Sequence, residues 1–352
     1  MENNNISNKI KYIYLLLTIG MVMYHNCSTN IFNINITSSL DNVILSFYLK
    51  FAEHIGYICM VFFFFMSAFW FYKGTESNKD TLKKWKKRIK TLLIPFLVWT
   101  VIIGGYQVVV WDMTFNLKDI FYHLFETPIA GPLWYILGLL ILQLFAPIII
   151  PLKQKKKIVT IIFSLIIIYI SLRTLKIIPH FLEFKNWWWY NNLIFYTPVY
   201  ILGAYIGMYY PDILLKLEYN AKKHTHIGLI LLLTVLLFWH FITPNTNFLN
   251  IIYPIISIIG FWLILKPRFC SKNLPDFLNC GFFMFALHQP VLIPITNKFI
   301  TLIIKNHSVI GTEVVLIKII QLCAIIIISG VARKLASLIF SKNINYYLTG
   351  GR

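Results

Sequence analysis

Two histidines are the side chains of this 352-residue chain whose type and setting most favour chemistry. His25 ends an apolar run that begins at Tyr12, and His288 lies beside Gln289 about nine residues into another apolar run. Ionisable side chains in membrane-length apolar segments are energetically expensive, so their default interpretation is functional. A histidine suits proton transfer because its ordinary pKa lies near neutrality. His25 is therefore the candidate proton-transfer group, and His288 with Gln289 is the candidate lining of a site.

A basic stretch, KKWKKRIK at 83–90, forms a second candidate at the predicted cytoplasmic start of another apolar run. Arginine binds phosphate through a planar fork, and lysine binds it as a point charge. Arg88, with Lys87 and Lys90, is thus suited to hold the phosphates of a cytosolic donor. The same residues would also orient the chain in the membrane and attract anionic lipid. The sequence leaves both interpretations open.

Other polar and aromatic candidates lie at the predicted outer ends of the apolar runs. Glu53 and His54 are either a proton-handling pair or two solvated interface residues. Trp134 belongs either to an interfacial aromatic belt or to a surface that stacks against a sugar ring. The same two alternatives hold for the aromatic run WWWY at 187–190.

Tyr14 is expected to share a helix face with His25. It precedes His25 by eleven positions, which turn a helix through about 1,100°, close to three whole turns. Lys11 lies about one turn below Tyr14. The first helix is therefore predicted to carry a stripe that runs from a cationic foot at the cytosol, through Tyr14, to His25 in the outer half.

The composition places these residues in a membrane protein. The chain is 58% hydrophobic and 13% charged, with a mean hydropathy of +0.70, which is typical of polytopic membrane proteins. We attribute the net charge of +19 to cytoplasmic loops and expect no nucleic-acid partner. The five cysteines show neither a CxxC motif nor a His/Cys metal spacing. We therefore expect no disulfide framework, no metal site and no bound cofactor.

Ten apolar segments predict an all-α fold, a polytopic membrane bundle of about ten transmembrane helices. If the N-terminus is cytoplasmic, 24 of the 32 Lys and Arg residues fall on the cytoplasmic side, so both termini are predicted there. We expect a multi-pass protein of the cell membrane, with a retained first helix instead of a signal peptide. A transmembrane domain, 1–342, precedes a short polar tail, 343–352. The predicted segments are 11–26, 55–72, 92–111, 132–151, 158–175, 192–210, 226–242, 248–265, 279–300 and 313–333.

The order and spacing of several motifs resemble the acyltransferase-3 family of integral membrane acyltransferases across nearly the whole chain. The motifs are MVMYHN, FFFFMSAFWF, KKRIKTLLIPFLVW, GPLWYILGLLIL and ALHQPVL. The resemblance implies transfer of an acyl group, usually acetyl, from acyl-CoA to a hydroxyl of a glycan or related acceptor. It matches His25 to the family's essential first-helix histidine and Arg88 to the basic residue before the LLIP segment. Tyr14 stands where the family commonly has arginine, and Ser67-Ala68 where it has Ser-Gly.

The favoured hypothesis is a membrane O-acyltransferase that moves an acetyl group from cytosolic acetyl-CoA to a cell-surface or lipid-linked glycan. His25 would act as general base, and His288 would orient the acyl group or relay the acyl group or the proton. Two alternatives stay open: an exporter or flippase of a polysaccharide or lipid-linked saccharide, and a membrane sensor or structural partner with a decayed site. Expected partners are acyl-CoA, the saccharide acceptor and membrane lipid. The candidate substrate-binding residues are Arg88, Lys87, Lys90, Tyr14, Glu53, Trp134 and Gln289.

Overall fold

The computed structural model is built almost entirely of helices. It describes residues 2–114, 131–174, 188–219, 221–238, 249–265, 275–305 and 307–350, with a few single residues between 116 and 129. The helices are α1 Glu2–His25, α2 Ser39–Tyr72, α3 Asn78–Arg88, α4 Ile94–Trp111, α5 Trp134–Gln143, α6 Ala146–Ile149, α7 Lys156–Thr174, α8 Trp188–Tyr209, α9 Ile213–Tyr219, α10 Ala221–Phe238, α11 Leu249–Ile264, α12 Gly281–Leu287, α13 Ile293–Ile304, α14 Gly311–Ile339 and α15 Lys342–Leu348.

Short helical turns of other types join several of these helices. Wider π-helical turns occupy Ile89–Leu93, between α3 and α4, and His288–Leu292, between α12 and α13. Tighter 3-10 turns occupy Gly131–Leu133, Ile150–Leu152 and Asp276–Leu278. Both π turns fall within motifs that the sequence analysis singled out.

Six helical stretches among the described residues are long and apolar enough to cross a membrane. Each of the ten predicted segments overlaps a helix, but the number ten and the cytoplasmic location of the termini stay predictions. Two shorter apolar helical stretches occur at Thr225–Val235 and Ile255–Ile264. The six stretches are Ile6–His25, Ser39–Tyr72, Asn78–Trp111, Gly131–Leu152, Gly281–Ile304 and Gly311–Ile339.

The chain divides into two compact units. The first comprises Met1–Ile10, Met60–Leu93 and Trp134–Asn273, and the second comprises Lys11–Cys59, Ile94–Leu133 and Leu274–Arg352. The His25 and His288 motifs belong to the second unit, and the Arg88 motif belongs to the first. We describe each unit by itself.

In the first unit, the second half of α2 is an almost fully buried run of aromatic side chains. Helix α8 approaches it so closely that Gly203 and Gly207 touch the backbone of Phe65 and Phe69 and leave no room for a Cβ atom. Small residues permit this backbone approach between membrane helices. Close packing against α8 thus fixes the second half of α2, whose Ser67 carbonyl accepts a hydrogen bond from Arg88.

In the second unit, the beginning of α2 and the beginning of α14 are fastened together. The Asp41 carboxylate accepts hydrogen bonds from the backbone N–H groups of Gly311, at 2.9 Å, and Thr312, at 2.6 Å. A carboxylate at a helix N-terminus satisfies orphan donors and complements the helix dipole. Two-residue strands, β1 Asn33–Ile34 and β2 Ser308–Val309, pair in parallel beside this junction. These contacts hold the loops that follow α1 and precede α14.

The predicted polar tail is a helix in the structure. Leu348, at the end of α15, is buried, and its carbonyl accepts a hydrogen bond from the Trp99 indole N–H at 3.2 Å. Gly350 has a φ of +72° and packs on the Phe282 ring, where a Cβ atom would lie 2.8 Å from ring carbons. The end of the chain is therefore packed into the second unit.

Candidate active site

His25 and His288 are brought together by the fold of the second unit. Their ring centroids lie 5.2 Å apart, with 45° between the ring planes. His25 is the last residue of α1, and His288 is the first residue of the π turn that follows α12. Two imidazoles at this spacing are close enough to act on one substrate or one proton. The histidine pair is the centre of the candidate site.

The π turn at His288 follows from the prolines around it. The Ile293 N–H donates to the carbonyl of His288, five residues earlier, which is the hydrogen-bond pattern of a π helix. Pro290 lies inside the turn and Pro294 just after it, and neither can donate a backbone hydrogen bond. Single π turns inside α-helices occur frequently at functional sites. The prolines thus account locally for the break that carries His288.

The hydrogen bonds of His288 define its tautomer. Nδ1 lies 2.9 Å from the carbonyl oxygen of Phe285 and 3.2 Å from that of Met284. Carbonyl oxygens only accept, so Nδ1 carries the proton and, in the neutral ring, Nε2 carries the lone pair. Nε2 is buried and has no hydrogen-bond partner among the described residues. His288 therefore presents a fixed, unoccupied acceptor atom.

His25 is less enclosed than His288. Its ring is half-buried and makes an edge contact with Tyr24, at 4.9 Å between centroids. Beyond these two ring contacts, the described part of the chain offers His25 no hydrogen bond. Both of its ring nitrogens are therefore available to a substrate hydroxyl.

Apolar packing fixes the helices that carry the two rings. Side chains from α1, α12, the π turn, α13 and α14 form one buried cluster around them. Thr18 approaches the start of α12, with its hydroxyl 3.8 Å from where a Cβ atom on Gly281 would lie. The buried members of the cluster are Leu15, Val22, Met284, Leu292, Ile293 and Ile325.

The Arg88 group lies in the first unit, at the end of α3. The Arg88 guanidinium donates to the carbonyl of Ser67 at 3.3 Å and is half-buried, whereas Lys87 and Lys90 are exposed. Lys84 has a structural role, since its ammonium group donates to the carbonyl of Phe71 at 2.7 Å at the C-terminal end of α2. Lys86, Lys87 and Lys90 are exposed along this stretch, and Arg88 lies among them.

A model of the family described as "Acyltransferase domain", the acyltransferase-3 family, matches residues 9–333. The chain belongs to the acyltransferase-3 family. Membership points to membrane acyltransferase activity and agrees with the apolar helices of the fold. No curated protein and no solved structure matches the chain.

Two hydroxyl-bearing aromatic residues of this acyltransferase domain escaped the sequence analysis. Tyr72 and Tyr200 are 0% and 3% exposed, their rings meet edge to face at 6.4 Å, and their two buried hydroxyls interact with each other. The Ser67 hydroxyl is buried and has no hydrogen-bond partner in the described part of the chain. Buried polar atoms without partners are rare and need an explanation. No sequence pattern separates these tyrosines from the chain's other aromatic residues.

Tyr14 shares helix α1 with His25 but lies far from it along the helix axis. Eleven residues of helix α1 separate Tyr14 from His25, a rise of about 16 Å. Tyr14 is half-buried, and its carbonyl accepts a hydrogen bond from the Thr18 hydroxyl at 2.8 Å. In this acyltransferase domain, the position where the family commonly has arginine therefore carries no charge.

Glu53 and His54 are neighbouring residues near the middle of α2, and their role as a proton-handling pair stays a prediction. The Nδ1 atom of His54 lies 2.7 Å from the carbonyl of Lys50 in the same helix, and Glu53 is half-buried. Gln289 and its neighbour His288 lie in different environments, since the His288 side chain is buried. Its side chain is exposed, and its Oε1 atom lies close to Gly131, whose φ is +46°.

Trp134 lies in the buried aromatic cluster of the first unit. It is 7% exposed and its ring contacts Phe64 at 6.2 Å, and Phe64 stacks on Tyr196 at 5.2 Å. The side chains of the aromatic run at 187–190 lie outside the part of the chain that the structure describes. Among the described residues, no group of three or more His, Cys, Asp or Glu side chains is placed to hold a metal.

Proposed function

We propose that this protein is a membrane O-acyltransferase that transfers an acetyl group from cytosolic acetyl-CoA to a hydroxyl of a cell-surface or lipid-linked glycan. The observation that carries the proposal is the His25–His288 pair, 5.2 Å apart, in a chain of the acyltransferase-3 family. A neutral imidazole at a membrane site is suited to take a proton from a hydroxyl group.

The proposed reaction needs only groups that the chain and its two substrates supply. His25 takes the proton of the acceptor hydroxyl, and that oxygen attacks the thioester carbonyl. A C–O bond forms, the C–S bond breaks, and the proton passes to the departing sulfur to give free CoA. His288, with Nδ1 held by backbone carbonyls and Nε2 unoccupied, orients the acyl group or relays the proton.

The Arg88 group is the proposed binding site of the donor. Arg88 provides a fork for a phosphate, and the exposed Lys87 and Lys90 provide point charges around it. The buried Ser67 hydroxyl supports this assignment because it has no hydrogen-bond partner in the described part of the chain, and a bound donor would give it one. Donor binding and proton transfer are thus assigned to separate sets of residues.

The test is acetyl-ester content of the surface glycans of a deletion strain complemented with full-length variants. His25→Ala is expected to lower ester content at least about 100-fold, in the range for loss of a general base. His226→Ala is the matched control because His226 is an exposed histidine elsewhere in the chain, and it should leave acetylation unchanged. Normal acetylation by His25→Ala, at equal protein level in the membrane, would sink the proposal.

A second candidate, an exporter or flippase of a saccharide, is favoured by Tyr14, which replaces the charge that the family commonly has. The same deletion strain separates the two functions. Loss of surface polymer with unchanged acetylation of the remaining glycan favours transport. Intact polymer without acetyl esters favours the acyltransferase.

A further inference from the structure

A buried lysine of the second unit contacts Asn26, the residue that directly follows His25. Lys318, in the first third of α14, is 1% exposed. Its ammonium group lies 3.2 Å from the Gln321 side-chain oxygen, 3.5 Å from that of Asn26 and 5.3 Å from the centre of the Phe32 ring. In the described part of the chain no carboxylate pairs with it. The groups recorded in contact with its ammonium group are two neutral side-chain oxygens and a ring face.

The lysine is one member of a polar network that joins three helices. The Gln321 amide nitrogen donates to the Thr296 hydroxyl and to the Asn297 side-chain oxygen, both at 2.8 Å. The Asn26 amide nitrogen donates in turn to the Lys318 carbonyl at 3.4 Å. The network therefore runs from the end of α1, through α14, to α13.

Each histidine of the pair is connected through the backbone to one end of this network. Asn26 directly follows His25, and its backbone N–H continues the helix by donating to Val22 at 2.9 Å. Thr296 and Asn297 lie on α13, which continues directly from the π turn that His288 opens. A shift of Lys318 would therefore be felt at both rings.

Stability alone does not account for a lysine in this place. Burying an ammonium group without a counter-charge costs free energy, and an apolar side chain of similar size would not carry that cost. Lysines in membrane helices usually extend their charge to the interface, but here the ammonium group stays inside the protein. The remaining explanation is the geometry that its hydrogen bonds impose.

We propose that Lys318 is a positioning residue for the His25–His288 pair: through Asn26 on one side and Gln321 on the other, it holds α1 and α13 at the separation that sets the two rings 5.2 Å apart. The inference rests on the proposed acyltransferase reaction for its kinetic readout. It assigns Lys318 no contact with substrate.

The kinetic test uses the purified full-length chain in lipid nanodiscs, with acetyl-CoA as donor and the deacetylated surface glycan of the host as acceptor. Lys318→Met, which keeps the length of the side chain, is expected to lower kcat at least about tenfold and to change KM for acetyl-CoA less than about twofold, because a misaligned base impairs the chemical step and not donor binding. Lys318→Arg should restore most of kcat by keeping the hydrogen bonds. Lys298→Met is the control, since Lys298 is exposed on α13 beside Asn297.

A second measurement reads the geometry without catalysis. In a chain whose native cysteines are replaced by alanine, His25→Cys and His288→Cys are combined and their oxidative cross-linking is timed. Lys318→Met should slow cross-linking several-fold and Lys318→Arg should not. If the wild-type chain transfers no acetyl group, the proposed function fails while this measurement still decides the role of Lys318.

Three outcomes overturn the inference. One is a kcat for Lys318→Met within twofold of wild type, and another is unchanged cross-linking. The third is a loss seen with acidic acceptors while neutral acceptors react normally, which would make Lys318 a binding group for the acceptor. If Lys318→Met does not fold, Gln321→Leu interrupts the same network and is scored against the same limits.

Discussion

The two candidate sites of this acyltransferase-3 protein use the same backbone device for opposite purposes. Arg88 directly precedes the π turn Ile89–Leu93, and His288 opens the π turn His288–Leu292. Each turn is followed by a helix with proline at its second position, Pro95 or Pro294. A π turn re-aims the side chains around it without ending the helix. Function at these sites depends on what surrounds the turn.

Their surroundings differ in how completely the polar atoms are satisfied. His288 is fully buried, and backbone carbonyls fix one of its nitrogens. Arg88 is half-exposed among exposed lysines and donates to the carbonyl of Ser67, whose buried hydroxyl has no partner in the described part of the chain. The histidine site is therefore suited to transfer of a proton, whereas the arginine site is suited to binding a larger polar ligand. The following changes separate these two roles.

The largest effect is expected from His288→Ala. Loss of the ring removes a buried acceptor atom from a ring whose centre lies 5.2 Å from that of His25, and general acid–base groups typically contribute about 10²- to 10⁴-fold to the rate. We expect at least about a 100-fold fall in kcat for acetyl transfer, with KM for acetyl-CoA nearly unchanged. His226→Ala should match wild type. A raised KM with a normal kcat would instead assign His288 to donor binding, and the two sites would then not differ in role.

Arg88→Ala is expected to give the opposite kinetic pattern. A charged hydrogen bond contributes about 1.5–3 kcal/mol, which corresponds to a rise in KM for acetyl-CoA of about 10- to 100-fold. The fall in kcat should be smaller, and Arg88→Lys should recover part of the affinity because it keeps the charge but not the fork. Binding of CoA by titration calorimetry provides the check. Unchanged CoA binding would contradict the assignment.

A smaller effect is expected from Tyr72→Phe. The buried hydroxyl interacts with the Tyr200 hydroxyl, so its removal should change the free energy of unfolding by about 1 kcal/mol or less. If the donor uses this hydroxyl, KM for acetyl-CoA should rise a few-fold at the same time. Thermal unfolding and steady-state kinetics on one preparation test both. Tyr106→Phe, which removes a buried hydroxyl elsewhere in the chain, controls for the stability change alone.

The positions of the helices could be predicted from the sequence because a membrane helix requires a long run of apolar residues. His25 and Arg88 could be chosen as candidates for a related reason. His25 is an ionisable residue at the end of an apolar run, where burial of a charge would cost free energy, and Arg88 belongs to a basic run beside such a segment. The family assignment from ordered motifs is confirmed by the match over residues 9–333. Neither residue needed knowledge of tertiary contacts.

The pairings between distant residues were beyond the sequence. His25 and His288 lie near opposite ends of the chain, and only the packing of α1 against α12 and α13 sets their rings in contact. Lys318 counted only as one of the basic residues on the predicted outer side, since no local pattern shows that its ammonium group is buried. Gln289 was grouped with His288, but adjacent residues on a helix do not face each other, and its side chain lies near Gly131.

The smallest effect is expected from Cys27→Ser, which tests whether the histidine site works by direct transfer. Cys27 lies two residues after His25 and is the nearest thiol in sequence, so an acyl-enzyme on Cys27 is the obvious competing route. Burial raises the pKa of the Cys27 thiol above its ordinary value, and a thiol that stays protonated at neutral pH is a poor nucleophile. We therefore expect kcat within about twofold of wild type, the same as for Cys323→Ser at an exposed thiol. A large loss, or a labelled acetyl thioester on Cys27 in mass spectra after mixing with acetyl-CoA, would make the histidines the base of a two-step transfer and would move the chemistry from the hydroxyl acceptor to the protein.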